Sequence, residues 1–192
     1  MEASKMETGV SVVVRPFKAI ALLCAFLAVS LASVAVFSPA WVTAQGFKLS
    51  LWEECEGSAS REGAQLVWGC KSNLSLHNDW KMATLALVLA SCLLSLLATI
   101  AGLVALCAGS FRRISLPMAA LLYLAVILQV CALILFPIKF LDETALRSYH
   151  EFDWGYGLAW GAAIFMLGAA ILLCLSPRDH ISSTYCGGST QH

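Results

Sequence analysis

Trp41-Val42-Thr43, Leu51-Trp52-Glu53-Glu54-Cys55 and Trp68-Gly69-Cys70 share one polar stretch set between hydrophobic runs, and this stretch decides the fold. Apolar and polar residues loosely alternate from Thr43 to Leu51, and Leu66-Val67-Trp68 is a second short β-prone run. Gly57-Ser58-Ala59-Ser60 and Gly63 supply turn material between them, so two or more short antiparallel strands are expected. A lone hairpin is marginal in water and needs a staple or a surface to pack on. Cys55 and Cys70 are the obvious staple.

Outside this stretch the chain reads as membrane. Its 192 residues are 59% hydrophobic and only 12% charged, with a mean hydropathy of +0.79, whereas a soluble domain is about a quarter charged. A spanning helix needs about 20 apolar residues to cross about 30 Å of hydrocarbon. Charge is absent between Lys18 and Lys48, Lys81 and Arg112, Arg113 and Lys139, and Asp153 and Arg178. These gaps predict spans near 18–38, 81–108, 114–138 and 155–175, forming one transmembrane domain over 18–176. Loops at 39–80 and 139–154 then lie on one side, and tails at 1–17 and 177–192 on the other.

Lys and Arg favour short cytoplasmic loops. Lys5, Arg15 and Lys18 precede the first span, Arg112 and Arg113 fill the tight turn between spans two and three, and Arg178 follows span four. Both termini are therefore expected in the cytoplasm and the loops outside. Ser33-Val34-Ala35 resembles a signal-cleavage site, but the apolar run before it exceeds the length of a signal peptide. Pro16 is expected in the first helical turn, where its missing N–H has no partner anyway.

Of the 8 cysteines, Cys24, Cys92, Cys107, Cys131 and Cys174 fall within or at the ends of spans and Cys186 in the tail. Cys55 and Cys70 remain in an oxidising compartment, where disulfides persist. Bonded, they close a loop of about 15 residues and restrain the unfolded chain by about 3 kcal/mol; the alternative is two free thiols. Cys107, Cys174 and Cys186 lie near the cytoplasmic face and are palmitoylation candidates. Asn73-Leu74-Ser75 is an N-glycosylation acceptor pattern close to span two.

Span one is rich in Ala and Ser, which lets neighbouring helices approach closely in lipid. Gln129 is the strongly polar side chain of span three and is expected to hydrogen-bond a neighbouring helix. Gly157 and Gly161 make a small-xxx-small face expected to seat span four in its own bundle, with pairing of two copies as the alternative. Trp80 and Trp154 fall at outer boundaries, where amphipathic rings favour the headgroup layer. The second loop looks too short for a domain.

No phosphate-cradling loop, Cys-x-x-Cys pair, metal-ligand cluster or nucleophile elbow occurs. Glu53 and Glu54 are adjacent in an extended segment and point to opposite faces. The spans lack the Asp, Glu, Lys, Arg or His that proton relays place at depth. This pattern argues against an enzyme, a cofactor or a nucleic-acid partner, and leaves the lipid bilayer and other membrane proteins as partners.

The order Trp41, Leu51-Trp52, Cys55, Cys70 after a first span, with three further spans, resembles the claudin and peripheral myelin protein superfamily, whose first loop carries Trp, then Gly-Leu-Trp, then two Cys. The resemblance implies an all-α membrane protein with a small β extracellular part: a left-handed four-transmembrane-helix bundle topped by an antiparallel sheet. It implies a Cys55–Cys70 bond, and that Trp41 and Trp52 fix the sheet against the bundle top. It further implies residence at cell–cell junctions of the plasma membrane, with junction or adhesion membrane proteins, or a second copy, as partners. Ser50 stands where claudins have glycine, the cysteine gap is longer than theirs, and Ser189-Thr190-Gln191-His192 lacks the hydrophobic end that docks claudins into PDZ domains. These departures favour an organiser or regulator of junctions over a paracellular barrier or pore. The same layout also serves auxiliary subunits of channels and receptors.

Overall fold

The computed structural model describes residues 2–44, 46–59, 66–73, 79–108, 111–144 and 150–175. Four helices dominate: α1 (Glu2–Val36), α2 (Asp79–Cys107), α3 (Phe111–Thr144) and α4 (Trp154–Leu175). Each holds a segment long and apolar enough to cross a membrane, at Phe17–Val36, Asp79–Cys107, Ile114–Asp142 and Trp154–Leu175. The chain is a multi-pass membrane protein. Helix α1 packs on α2 and α4, and α3 packs on the same two, which closes the bundle.

Small residues make that closure possible. Ala21, Ala25, Ala28, Ala32 and Ala35 recur at spacings of three and four along α1 and are all buried, as are Ala159, Ala162, Ala163, Ala169 and Ala170 on α4. Side chains three or four apart share a helix face, so two alanine faces meet and bring the backbones close. Gly102 extends this into α2, where an added Cβ would run into the Leu22 and Met118 side chains. Larger apolar residues such as Leu23, Phe26, Leu97 and Ile164 point outward, as they should where the solvent is lipid.

Two helices run further than expected. Backbone helix in α1 begins at Glu2, so Pro16 lies inside the helix and not in its first turn. Helix α3 continues past position 138 to Thr144, because Phe140 is buried against Phe47 and Phe136 and so keeps an apolar face to cover where the helix meets the sheet.

The strands are β1 (Val42–Ala44), β2 (Phe47–Leu49), β3 (Glu53–Ala59), β4 (Leu66–Ser72) and β5 (His150–Phe152). They form one antiparallel sheet in the order β4-β3-β2-β1-β5. Strand β5 is an addition the sequence does not announce, and it joins the second loop to the sheet: it pairs Thr43 with Glu151 and Val42 with Phe152. Three residues cannot show a periodic pattern, and β5 exists because β1 offers it an edge. Gly46, with φ of 76°, follows β1 in the left-handed region that favours glycine. Val42, Phe47 and Leu49 are buried and Lys48 is exposed, so one face of the sheet rests on the bundle and the other faces away.

Candidate functional site

Trp41, Leu51 and Trp52 meet at the junction between sheet and bundle. A helix leaves its last carbonyls without partners, and near hydrocarbon an unsatisfied carbonyl is expensive. The two signature tryptophans meet this need at the end of α1. Trp41 Nε1 donates to the Ala35 carbonyl at 2.8 Å, and Trp52 Nε1 donates to the next carbonyl, Val36, also at 2.8 Å. Trp41 is 0% exposed; its own N–H bonds Leu49 O, and its carbonyl accepts from Asp153 N. One residue therefore joins α1, the sheet and the start of α4. Leu51 is buried in the same apolar cluster, and Trp52 packs at its edge.

Between Leu49 and Glu53 the chain makes a tight turn organised by Ser50. Its Oγ accepts from Trp52 N at 3.2 Å and Glu53 N at 3.0 Å, while its backbone N–H donates to Glu53 O. The serine that stands in place of glycine is a side-chain brace for the turn presenting Trp52. Asn73 completes it: Nδ2 donates to Ser50 O at 3.0 Å and its N–H to Trp52 O at 2.8 Å, with the residue only 4% exposed. Cys55 and Cys70 are direct partners in the β3–β4 register and are disulfide-bonded. Glu53 brings a carboxylate oxygen within 4.8 Å of both sulfurs, but sulfurs joined to each other offer no thiolate to a metal.

Helices α2, α3 and α4 grip the sheet in turn. Lys81 Nζ lies 2.6 Å from Glu54 Oε2, with the lysine side chain 9% and the glutamate 28% exposed, which ties β3 to the first turn of α2. Phe136 sits among Trp41, Trp80, Phe140 and Tyr156, with Trp41 nearest at 5.2 Å edge to face. Pro137 has no N–H, so the Leu133 carbonyl four residues earlier loses its helical donor. The Tyr156 hydroxyl of α4 donates to that carbonyl at 2.9 Å and locks α4 to α3.

Asp153 caps α4. Its Oδ2 accepts from Thr43 Oγ1 at 2.6 Å and its Oδ1 from Trp154 N at 2.7 Å. The Thr43 hydroxyl first, then the Trp154 N–H and the nearby Lys48 charge, hold its carboxyl below the ordinary 3.8, against a partial burial that works the other way. A lowered folded pKa stabilises the fold fully above the ordinary value and loses that contribution as pH falls below it. Asp153→Asn is thus expected to lower the melting temperature at neutral pH, with the gap to wild type closing below about pH 4. A gap independent of pH would refute the assignment.

The other singled-out residues divide. Gln129 is fully buried; its Nε2 reaches Ala159 O across the α3–α4 contact at 3.4 Å, and its Oε1 has no partner among the described residues. Gly157 and Gly161 do not make the close approach expected of them. An added Cβ at Gly157 meets nothing within 4 Å, and at Gly161 only Leu31 Cδ1 at 3.6 Å. The close approach belongs to Gly155, where a Cβ would strike Ser38 Oγ and stand 2.7 Å from the Ala40 carbonyl. Cys107 and Cys174 are exposed at helix ends, and Cys186 lies outside the described residues. Trp154 is half-exposed and Trp80 packs on the sheet cluster.

Sequence reading missed Ser50, Lys81, Phe136, Asp153, Gly155 and Tyr156 as parts of this junction. Usable signals existed for two, Asp153 and Tyr156: Asp153 directly precedes an apolar run, as helix caps do, and Pro137 within an apolar run implies a carbonyl in need of a donor, which Tyr156 supplies. What the arrangement does chemically is present a surface. On the outward face Trp68 is 43% exposed, with Lys48 Nζ 5.0 Å from its ring centroid.

No family model matches the chain. A zebrafish (Danio rerio) protein described as "p53 apoptosis effector related to PMP-22" is 38% identical over 141 residues, which span 72% of this chain and 71% of that protein. With that likeness over four apolar helices and a disulfide-bonded sheet held by Trp41 and Trp52, the chain belongs to the PMP-22-related proteins of the peripheral myelin protein and claudin superfamily.

Proposed function

We propose that this protein is a non-enzymatic tetraspan that organises or regulates cell–cell junctions at the plasma membrane, through its sheet and through lateral contacts of its helices. In this reading the sheet is extracellular and both termini are cytoplasmic, in keeping with Lys5, Arg15, Lys18, Arg112 and Arg113 at the opposite end and with Arg178 after α4 in the sequence. The observation that carries it is the rigid mounting of the sheet. Strands from both loops are joined in one sheet that is stapled, capped onto α1 and salt-bridged to α2. Such a platform costs little entropy to present to a partner.

Short runs add support. Ser38-Pro39-Ala40-Trp41-Val42-Thr43, Pro137-Ile138-Lys139-Phe140 and Tyr149-His150-Glu151-Phe152-Asp153-Trp154-Gly155-Tyr156-Gly157 resemble transmembrane protein 47, also called brain cell membrane protein, a claudin-like protein of cell junctions. A tagged copy in a confluent epithelial monolayer is expected to concentrate at cell borders, and its loss to alter junction morphology. Dispersal over the whole surface, with junctions intact after its loss, would sink the proposal. Affinity capture from detergent should return adhesion and scaffold proteins; one dominant channel would point to an auxiliary subunit instead.

A further inference from the structure

The glycosylation pattern Asn73-Leu74-Ser75 and the Ser50 turn make competing demands on one side chain. Oligosaccharide transfer joins sugar C1 to Asn Nδ2, expels the lipid pyrophosphate that carried the sugar and releases one amide proton. The acceptor nitrogen must therefore reach out of the chain into an enzyme. In the fold Asn73 Nδ2 instead points inward to Ser50 O at 3.0 Å, its backbone is held by Trp52 O, and 4% of the residue is exposed. A glycosylated nitrogen keeps one N–H and could still donate. The space around a 4%-exposed residue, however, has no room for a sugar.

We infer that Asn73 is a buried clamp whose folding excludes its own glycosylation, so that a glycan at Asn73 marks only chains whose sheet has failed to close. Closure has to come first because the clamp depends on neighbours distant in sequence. Ser50 is placed by the Glu53 turn, and Asn73 is brought to it by the β3–β4 pairing that the Cys55–Cys70 bond secures. A chain that cannot form that bond leaves the nitrogen open to transfer. The inference rests on the proposed orientation, since only an outward-facing sheet meets the glycosylation enzyme.

The test uses the full-length chain in mammalian cells, with mobility compared before and after peptide N-glycosidase. Ser58→Asn, at an exposed position of β3, completes an acceptor pattern with Ala59 and Ser60 and reports whether the sheet enters the lumen. Wild type is expected to show no shift, Ser58→Asn a shift, and Cys55→Ser a shift that Ser75→Ala removes. In the purified protein Asn73→Ala should lower the melting temperature and Ser75→Ala should leave it unchanged. A wild-type shift abolished by Ser75→Ala would overturn the inference. So would an unmodified Cys55→Ser beside a modified Ser58→Asn, which would mean that nearness to the membrane guards Asn73. If Ser58→Asn itself stays unmodified, the orientation is what fails, and the competition falls with it.

Discussion

Trp41→Ala is expected to destabilise the protein by about 3–5 kcal/mol for the lost ring, with about 1–3 kcal/mol more for the carbonyl it leaves without a donor. At about 2–4 °C per kcal/mol for a chain of this size, the melting temperature should drop by at least roughly 10 °C. The size of the effect comes from position. Trp41 is fully buried, packs edge to face on Phe136 and Tyr156, and caps Ala35 O. Trp41→Phe separates the two contributions. It keeps an aromatic ring in the cluster but leaves Ala35 O with only the long 3.4 Å contact from Ser38 N, so about 1–3 kcal/mol should be lost. Trp52→Ala should cost less than Trp41→Ala, because Trp52 is only partly buried and packs at the edge of the cluster, whereas Trp41 is fully enclosed in it. Thermal unfolding of the purified variants in detergent checks the order. Equal losses at Trp41 and Trp52, or a Trp41→Ala protein melting within a few degrees of wild type, would contradict this account of the signature.

The contrast between those tryptophans marks where sequence reading reaches its limit. Charge-free gaps located four helices because lipid imposes one strong rule, that about 20 apolar residues must run without interruption. Cysteine placement identified the staple because compartment and number left one pair. Neither rule says what a side chain touches. Trp41 and Trp52 are the same residue type eleven positions apart in one loop, and only their indole partners, consecutive carbonyls of α1, reveal that together they finish a helix. Strand β5 was hidden for a related reason: its pairing with β1 joins residues more than a hundred positions apart. The Lys81–Glu54 pair likewise depends on α2 starting beside β3, a fact of tertiary packing that no local pattern carries.

Glycine gives the sharpest case, and its test is the other large effect expected here. Spacing singled out Gly157 and Gly161, yet at 100° per residue Gly155, Ala159 and Ala162 share the inward face of α4 and Gly157 faces out. A methyl at Gly155 would meet Ser38 Oγ and the Ala40 carbonyl, at the bend where α1 gives way to the sheet. A side-chain hydroxyl can rotate aside, but the Ala40 carbonyl is backbone, held by the Ser38 hydroxyl that donates to it at 3.0 Å. Gly155→Ala should therefore cost at least the usual 1–3 kcal/mol of overpacking, despite alanine's gain of about 1 kcal/mol in helix propensity. Ser38→Ala in the same chain removes the nearest atom and not the carbonyl, so it should restore only part of the loss. Gly157→Ala meets nothing within 4 Å and should be neutral or stabilising by up to about 1 kcal/mol. Melting temperatures of the three variants beside wild type decide the matter. A harmless Gly155→Ala, or a Gly157→Ala that melts well below wild type in the monomer, would return the close approach to the pair that spacing chose.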